Sequence, residues 1–108
     1  MKSEIVFTSH FEAEFKRLSK KYHSLKNDFS ILIKELEKNP TKGIPLGINC
    51  YKIRMAVTSK GKGKSGGVRI ITHLYLSKEK LYLLSIYDKS AKENISDKER
   101  ESLLKLIQ

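Results

Sequence analysis

The spacing of the apolar residues changes at Asn39-Pro40, and this change constrains the fold more than any other feature of the sequence. Before this dipeptide, apolar residues recur every three or four positions, as on one face of an amphipathic helix. After Cys50 they alternate with polar residues or form short continuous runs, which is typical of strands. Because a residue that precedes proline is disfavoured in a helix, the helical part should end at Asn39. The helical positions are Phe11, Phe15, Leu18, Tyr22, Leu25, Phe29, Leu32, Ile33 and Leu36.

Two capping boxes mark where helices should begin. Ser9 with Glu12 predicts the start of the first helix, directly after a short extended run at residues 5–7. Ser96 with Glu99 predicts a last helix, and its inward-facing residues should be Leu103, Leu104 and Ile107.

Three strands are predicted between the helical hairpin and the last helix. They start at Cys50 and cover residues 68–76 and 81–87, and strands that follow one another so closely favour an antiparallel meander. Residues 43–47, with two glycines and a proline, are interpreted as a connection. The predicted fold class is therefore α+β, in the order β-α-α-β-β-β-α, with a small antiparallel-rich sheet, two N-terminal helices on one face and a C-terminal helix.

Length and composition predict a single domain over residues 1–108, since compact domains typically have about 100 to 150 residues. The one cysteine, Cys50, has no partner within the chain, which excludes a disulfide framework and favours a reducing compartment. The first ten residues contain no apolar run long enough for a signal peptide or a membrane span, so we expect a cytoplasmic protein without a membrane partner.

The positive charge of the chain is concentrated in its centre. Lysine and arginine number 22 against 12 acidic residues, a formal net charge of +10. Residues 38–78, called the basic segment below, contain no acidic residue. Such a segment costs self-repulsion in a compact state, which a polyphosphate partner would relieve with release of counterions. Glycines and strand-like residues interrupt it, so nucleic acid is favoured over a membrane surface. Its basic residues are Lys38, Lys42, Lys52, Arg54, Lys60, Lys62, Lys64, Arg69 and Lys78.

Two basic residues of the first meander strand should point to the same side. Lys52 and Arg54 are two positions apart, so their side chains leave one face about 7 Å apart. If the next strand pairs with this one, Arg69 lies near Arg54, and forked guanidinium donors suit phosphate oxygens. The alternatives are an ordinary solvated sheet face or a salt bridge from Arg69 to Asp88.

The loop at residues 59–67 reads SKGKGKSGG and contains Lys60, Lys62 and Lys64. Its GKS ending resembles a phosphate-binding P-loop, but Thr58 stands where that motif needs glycine and a strand follows where it needs a helix. We interpret it as a flexible loop that can follow a nucleic-acid backbone without reading bases, or as a hairpin turn kept soluble by lysine. Lys89 and Lys92 extend the cationic patch or are surface lysines.

The residues offer few groups for proton transfer. His73 shares the side of Arg69, so it is a possible acid or base, with packing at the sheet as the alternative. Tyr87 is assigned to the core or its rim, although it stands at a strand end where ligand contacts are common. The spacing of His, Cys, Asp and Glu matches no metal site, so we predict no metal and no cofactor.

Several of these motifs together resemble the RelE/HigB-type toxins of bacterial type II toxin-antitoxin systems, especially the HigB-like branch. They are YKIR at residues 51–54, GKGKSGGVRII at 61–71 and LLSIYDK at 83–89, with Phe11, Phe15, Leu36, Asn39-Pro40 and Gly47. The resemblance implies a RelE-like fold and a metal-independent endoribonuclease that enters the ribosomal A site and cuts mRNA. Its expected partners are that mRNA, ribosomal RNA and a neutralising antitoxin protein.

The resemblance also implies roles for individual residues. Lys52 and Arg54 match the basic pair of the family, and Arg69 matches an arginine that contacts or stabilises the scissile phosphate. Lys89 or Lys92 falls near a further basic position. Several family members carry a tyrosine or histidine in or just before the last helix, whereas the chain from Asn94 onward has neither.

The chemistry that follows is an attack of the ribose 2′-hydroxyl on the adjacent phosphorus. Arg54 and Arg69 would stabilise the charge that develops on the phosphate, which is often the largest catalytic term. Like charges favour the neutral form of a lysine, which makes Lys52 the candidate base. The competing hypotheses are a non-catalytic RNA-binding or ribosome-binding module and a catalytically inactive toxin homologue.

Overall fold

A computed structural model describes residues 3–92 and 94–107. The order of helices and strands largely follows the prediction from the apolar spacing. The helices are α1 (Ser9–Lys21), α2 (Leu25–Lys38) and α3 (Asp97–Leu104), and the strands are β1 (Glu4–Phe7), β2 (Ile44–Gly47), β3 (Cys50–Met55), β4 (Val68–Tyr75) and β5 (Lys80–Asp88).

In the described ranges the strands form one mixed sheet in the order β1-β5-β4-β3-β2. The predicted meander is confirmed, since β3 pairs with β4 and β4 with β5, both antiparallel. β1 pairs with β5 in parallel. The interpretation of residues 43–47 as a bare connection is wrong, because β2 pairs with β3 there as an edge strand. An edge strand tolerates the missing N–H of Pro45 and leaves most of its residues exposed, so no alternation signals it.

The sheet is covered on both faces, with α1 and α2 on one face as predicted and α3 on the other. One cluster of buried residues joins α1 and α2 to β3, β4 and β5, and includes Phe11, Phe29, Leu36, Ile53 and Ile70. A second cluster lies under α3 and joins Leu103 and Leu104 to Cys50, Ile71, Leu84 and Tyr87. β5 contributes to both clusters, which explains its nearly continuous apolar sequence.

The helix boundaries follow local capping chemistry. α1 is capped by Thr8, whose hydroxyl accepts a hydrogen bond from the Phe11 backbone, so the predicted start at a Ser9 capping box is wrong by one residue. α2 ends with Asn39 as its C-cap, as predicted from Pro40. The capping box of Ser96 and Glu99 is confirmed at the start of α3. Across the residues that the structure describes, no helix has both the length and the apolar character needed to cross a membrane.

Candidate nucleic-acid interface

Three polar side chains lie in a row across the three central strands of the sheet, near one end of each strand. Arg54 of β3 is directly opposite Arg69 of β4, and Arg69 is directly opposite Tyr87 of β5. Directly paired residues share one face of a sheet, so the predicted approach of Arg54 and Arg69 is confirmed. Tyr87 belongs to the cluster under α3, which places the row on the α3 side. We call these three residues the central row.

The two arginines of the central row have different surroundings. Arg54 is exposed, whereas Arg69 is only 3% exposed. The guanidinium of Arg69 donates to the carbonyl oxygens of Lys64 at 2.9 Å, Ser65 at 3.2 Å and Val68 at 3.2 Å. The salt bridge to Asp88 that the sequence left open does not form between these described residues. Within the described part of the chain, Arg69 therefore keeps an unneutralised charge beside Arg54.

The unneutralised positive charge of Arg69 is energetically unfavourable. Burial, and after it the positive charge of Arg54, lower the pKa of Arg69 from its ordinary value. Two cations on adjacent strands without a carboxylate between them destabilise one another. A phosphate bound over the central row would attract both guanidinium groups and offset their mutual repulsion. The arrangement is therefore suited to an anionic ligand.

The loop at residues 58–67 is anchored, which differs from the flexible loop that its composition predicts. Its first residue is held by Asp28, whose carboxylate accepts from the Thr58 hydroxyl at 2.6 Å and backbone N–H at 2.9 Å. At its other end, Arg69 donates a hydrogen bond to the Lys64 carbonyl. The backbone of Gly67 also packs closely on β3, since an added Cβ would lie 2.0 Å from the Met55 carbonyl oxygen. Between these anchors the exposed Lys62 and Lys64 are presented to solvent.

Lys60 belongs to the same loop but is not presented with these lysines. Its Nζ lies 2.8 Å from Asp88 Oδ1, and the two side chains are only 9% and 5% exposed. The Asp88 carboxylate also accepts from the Tyr22 hydroxyl and from the Ser90 backbone and hydroxyl. Despite burial, which acts in the opposite direction, the hydrogen bonds from Lys60, Tyr22 and Ser90 hold the pKa of Asp88 far below its usual range. The structure thus uses Lys60 to anchor the loop.

The remaining lysines lie around the central row. Lys52 is half-buried on β3, and its Nζ donates to the side-chain oxygen of Asn94 at 2.8 Å. Lys92 lies with its Nζ 4.9 Å from the centre of the Tyr87 ring and 2.6 Å from Glu99 Oε2. Lys89 is half-buried, and its backbone N–H donates to the carbonyl of Gly67. The structure therefore brings Lys52, Lys89 and Lys92 to the neighbourhood of the central row.

The sequence was compared with protein-family models. The model described as "RelE toxin of RelE / RelB toxin-antitoxin system" matches residues 6–108. This chain belongs to the RelE toxin family.

Solved structures of Escherichia coli RelE share the fold of this RelE-family chain. A RelE mutant with two arginines replaced by alanine, in the free state, superposes with a TM-score of 0.66 at 16% identity, covering 100% of both chains. The same mutant in complex with an antitoxin RelBc peptide gives 0.60 at 16% identity, covering 89% of this chain and 100% of the other. RelE in the intact RelBE toxin-antitoxin complex also gives 0.60 at 16% identity, covering 80% and 95%.

His73 lies on the face of Arg69 but away from it. It is four positions along β4, which is roughly 13 Å from Arg69 in a strand. Its Nδ1 faces the Cys50 Sγ at 3.5 Å, and burial lowers its pKa despite a hydrogen bond with the Ile48 backbone. The structure does not bring this histidine to the two arginines of the central row.

Two further residues lie with the central row and Lys52: Tyr87, which the sequence assigned to the core or its rim and which is buried there, and Asn94, which the sequence did not assign. The Tyr87 hydroxyl is buried, and burial raises its pKa, while Arg69 and a hydrogen bond with the Ile95 backbone act in the opposite direction. The register between β4 and β5 would have placed Tyr87 opposite Arg69, but the sequence alone does not show which residues of two strands pair. No described group of three or more His, Cys, Asp or Glu side chains is arranged to hold a metal ion.

Proposed function

We propose that this chain is a ribosome-dependent endoribonuclease toxin that cuts mRNA in the ribosomal A site without a metal ion and is neutralised by a cognate antitoxin. The observation that carries the proposal is the direct pairing of Arg54 and Arg69 on adjacent strands, with no carboxylate of the described residues between them. Membership of the RelE toxin family supports a toxin, and the complex of Escherichia coli RelE with RelB supports an antitoxin partner.

The reaction forms a bond from the ribose 2′-oxygen to phosphorus and breaks the bond from phosphorus to the 5′-oxygen of the next nucleotide. Arg54 is exposed and suited to contact the scissile phosphate directly. Arg69 is buried, so its charge acts from beneath while its hydrogen bonds hold the loop. We assign both arginines to stabilisation of the phosphorane, the step at which negative charge accumulates.

Lys52 remains the proposed base for the 2′-hydroxyl proton. It lies two positions from Arg54 on the same face of β3, about 7 Å along the strand, which is comparable with the spacing of neighbouring phosphates. His73 is not proposed for this role, because the strand carries it away from the arginines.

Lysines around the central row would hold the RNA backbone of the message and of the ribosome. We retain Lys62, Lys64, Lys89 and Lys92 in this role and omit Lys60, whose side chain is only 9% exposed and is anchored to the buried Asp88. Contacts of this kind fix position without reading bases. The ribosome would then supply the geometry of the scissile bond, so purified protein should leave naked RNA largely uncut.

Expression without an antitoxin tests this proposal. Induction in a bacterium should arrest growth and produce mRNA ends at codon-spaced positions, and Arg54→Ala should abolish both effects. Lys78→Ala is the matched control, since it removes one positive charge from the basic segment at an exposed residue away from the central row. Undiminished cleavage of ribosome-bound message by a folded Arg54→Ala variant would refute the role of that arginine.

A non-catalytic RNA-binding or ribosome-binding module is the second candidate. It is favoured by the hydrogen bonds of Arg69, which are directed at backbone carbonyls and thus at loop structure. Growth arrest without new mRNA ends would indicate this function. Normal growth together with a tight antitoxin complex would indicate a catalytically inactive toxin homologue.

A further inference from the structure

A hydrogen bond joins the sheet to the segment that precedes α3. Lys52 Nζ donates to Asn94 Oδ1 at 2.8 Å across 42 positions of sequence. Asn94 is exposed and Lys52 half-buried, so the contact lies at the protein surface, on the face that carries the central row.

Asn94 stands next to a firmly held backbone. Ile95 packs against the cluster under α3. Ser96 caps α3, with its hydroxyl accepting from the Glu99 N–H at 3.1 Å and its own N–H donating to Glu99 Oε1 at 3.3 Å. An acceptor whose following backbone is held in this way restricts the rotamers of a lysine side chain, which is otherwise among the most flexible.

The chemical type of the acceptor matters as much as its position. An amide oxygen occupies one of the three donors of a lysine and leaves its positive charge unneutralised. A carboxylate would form an ion pair that an RNA phosphate has to displace. The same segment provides the contrast, because Lys92 is paired with the carboxylate of Glu99 at 2.6 Å.

We propose that Asn94 is a positioning residue for Lys52: its neutral side chain holds Lys52 in place beside the central row and keeps the charge of that lysine available to RNA. This inference rests on the proposed function, in which Lys52 lies at the scissile nucleotide, binding RNA in its charged form and accepting the 2′-hydroxyl proton in its neutral form. It gives the C-terminal segment a part in the site although that segment has neither tyrosine nor histidine among its described residues.

Two measurements on Asn94→Ala, Asn94→Gln and Asn94→Asp test the proposal. The first is the cleavage rate of a defined mRNA on purified ribosomes with a vacant A site. The second is the affinity for a single-stranded RNA with 2′-deoxyribose at the scissile nucleotide, which cannot be cut there. This affinity is measured as a function of salt concentration. Thermal melting shows that the variants are folded, as expected for an exposed position.

The three substitutions should have different effects on kcat, KM and RNA binding. Asn94→Ala should lower kcat about tenfold and change KM little, because it removes a hydrogen bond to a charged group without adding charge. Asn94→Gln should recover part of kcat. Asn94→Asp should raise KM and reduce the slope of binding against salt by about one phosphate contact, because Lys52 is then paired within the protein.

The results distinguish failure of this inference from failure of the proposed function. If the wild type cuts and all three variants equal it in kcat, KM and salt slope, Asn94 has no positioning role. If the wild type does not cut ribosome-bound mRNA, the proposed function is refuted. In that case, an unchanged salt slope in Asn94→Asp overturns the inference about Lys52, and a reduced slope supports it.

Discussion

The buried ion pair of Lys60 and Asp88 allows the sharpest test of how the loop at residues 58–67 is held. Substitution of Asp88 by Asn preserves shape and removes the charge that lies 2.8 Å from Lys60 Nζ. At an effective dielectric constant of 20 that attraction is about 6 kcal/mol, and desolvation of both groups offsets much of it. The variant, however, leaves Lys60 buried without its partner, which typically costs about 3–5 kcal/mol. For a chain of this size that corresponds to a fall in Tm of roughly 12–20 °C.

The assay is chemical denaturation at neutral pH, with Glu35→Gln as the matched control. Glu35 pairs with Lys42 at 3.1 Å, but the two side chains are 51% and 34% exposed, so this carboxylate-to-amide change should cost less than about 1 kcal/mol. The double variant Asp88→Asn with Lys60→Met should regain most of the lost stability, because it also removes the orphaned charge.

The same pair makes a prediction about pH. The pKa of Asp88 is far below its usual range in the folded protein, so the unfolded chain takes up this proton first as the pH falls. The stabilisation is complete above about pH 5 and is lost progressively as the pH falls through the unfolded pKa of about 4 towards the lower folded pKa. Asp88→Asn should therefore flatten the stability profile between about pH 5 and about pH 3. A variant within about 1 kcal/mol of wild type at neutral pH, or an unchanged acid profile, would refute this account.

Three further predictions concern the surroundings of the site. Gly67→Ala should destabilise the fold by about 2 kcal/mol in urea, because the new Cβ would meet the Met55 carbonyl at 2.0 Å; a loss below about 0.5 kcal/mol would contradict the close approach. The pKa of His73, followed by NMR, should lie below its ordinary value, so its contribution to stability is lost as the pH falls below about 6.5, and a raised pKa would contradict its burial. Arg69→Lys should lose hydrogen bonds to the Lys64 and Ser65 carbonyls and make the loop more sensitive to trypsin, whereas equal digestion rates would exclude Arg69 as its anchor.

Local patterns were enough for the helices and for part of the site. The capping box at Ser96 and the end of α2 before Pro40 depend on neighbouring residues alone, and both are confirmed. Where the signal was weak, the prediction was less accurate. α1 is capped one residue earlier than expected, by Thr8, and β2 has too few buried residues to alternate visibly.

The sequence by itself determined that Lys52 and Arg54 share one face, because side chains two positions apart in a strand always do. It also determined that the basic segment contains no acid of its own. Only the tertiary structure decided which of these cations stay available for a ligand. Lys60 and Lys62 are nearly equivalent along the chain, yet one is buried against a carboxylate 28 positions away and the other is exposed. Backbone periodicity is a local property, whereas the partner of a charged side chain depends on which distant segments the fold brings together.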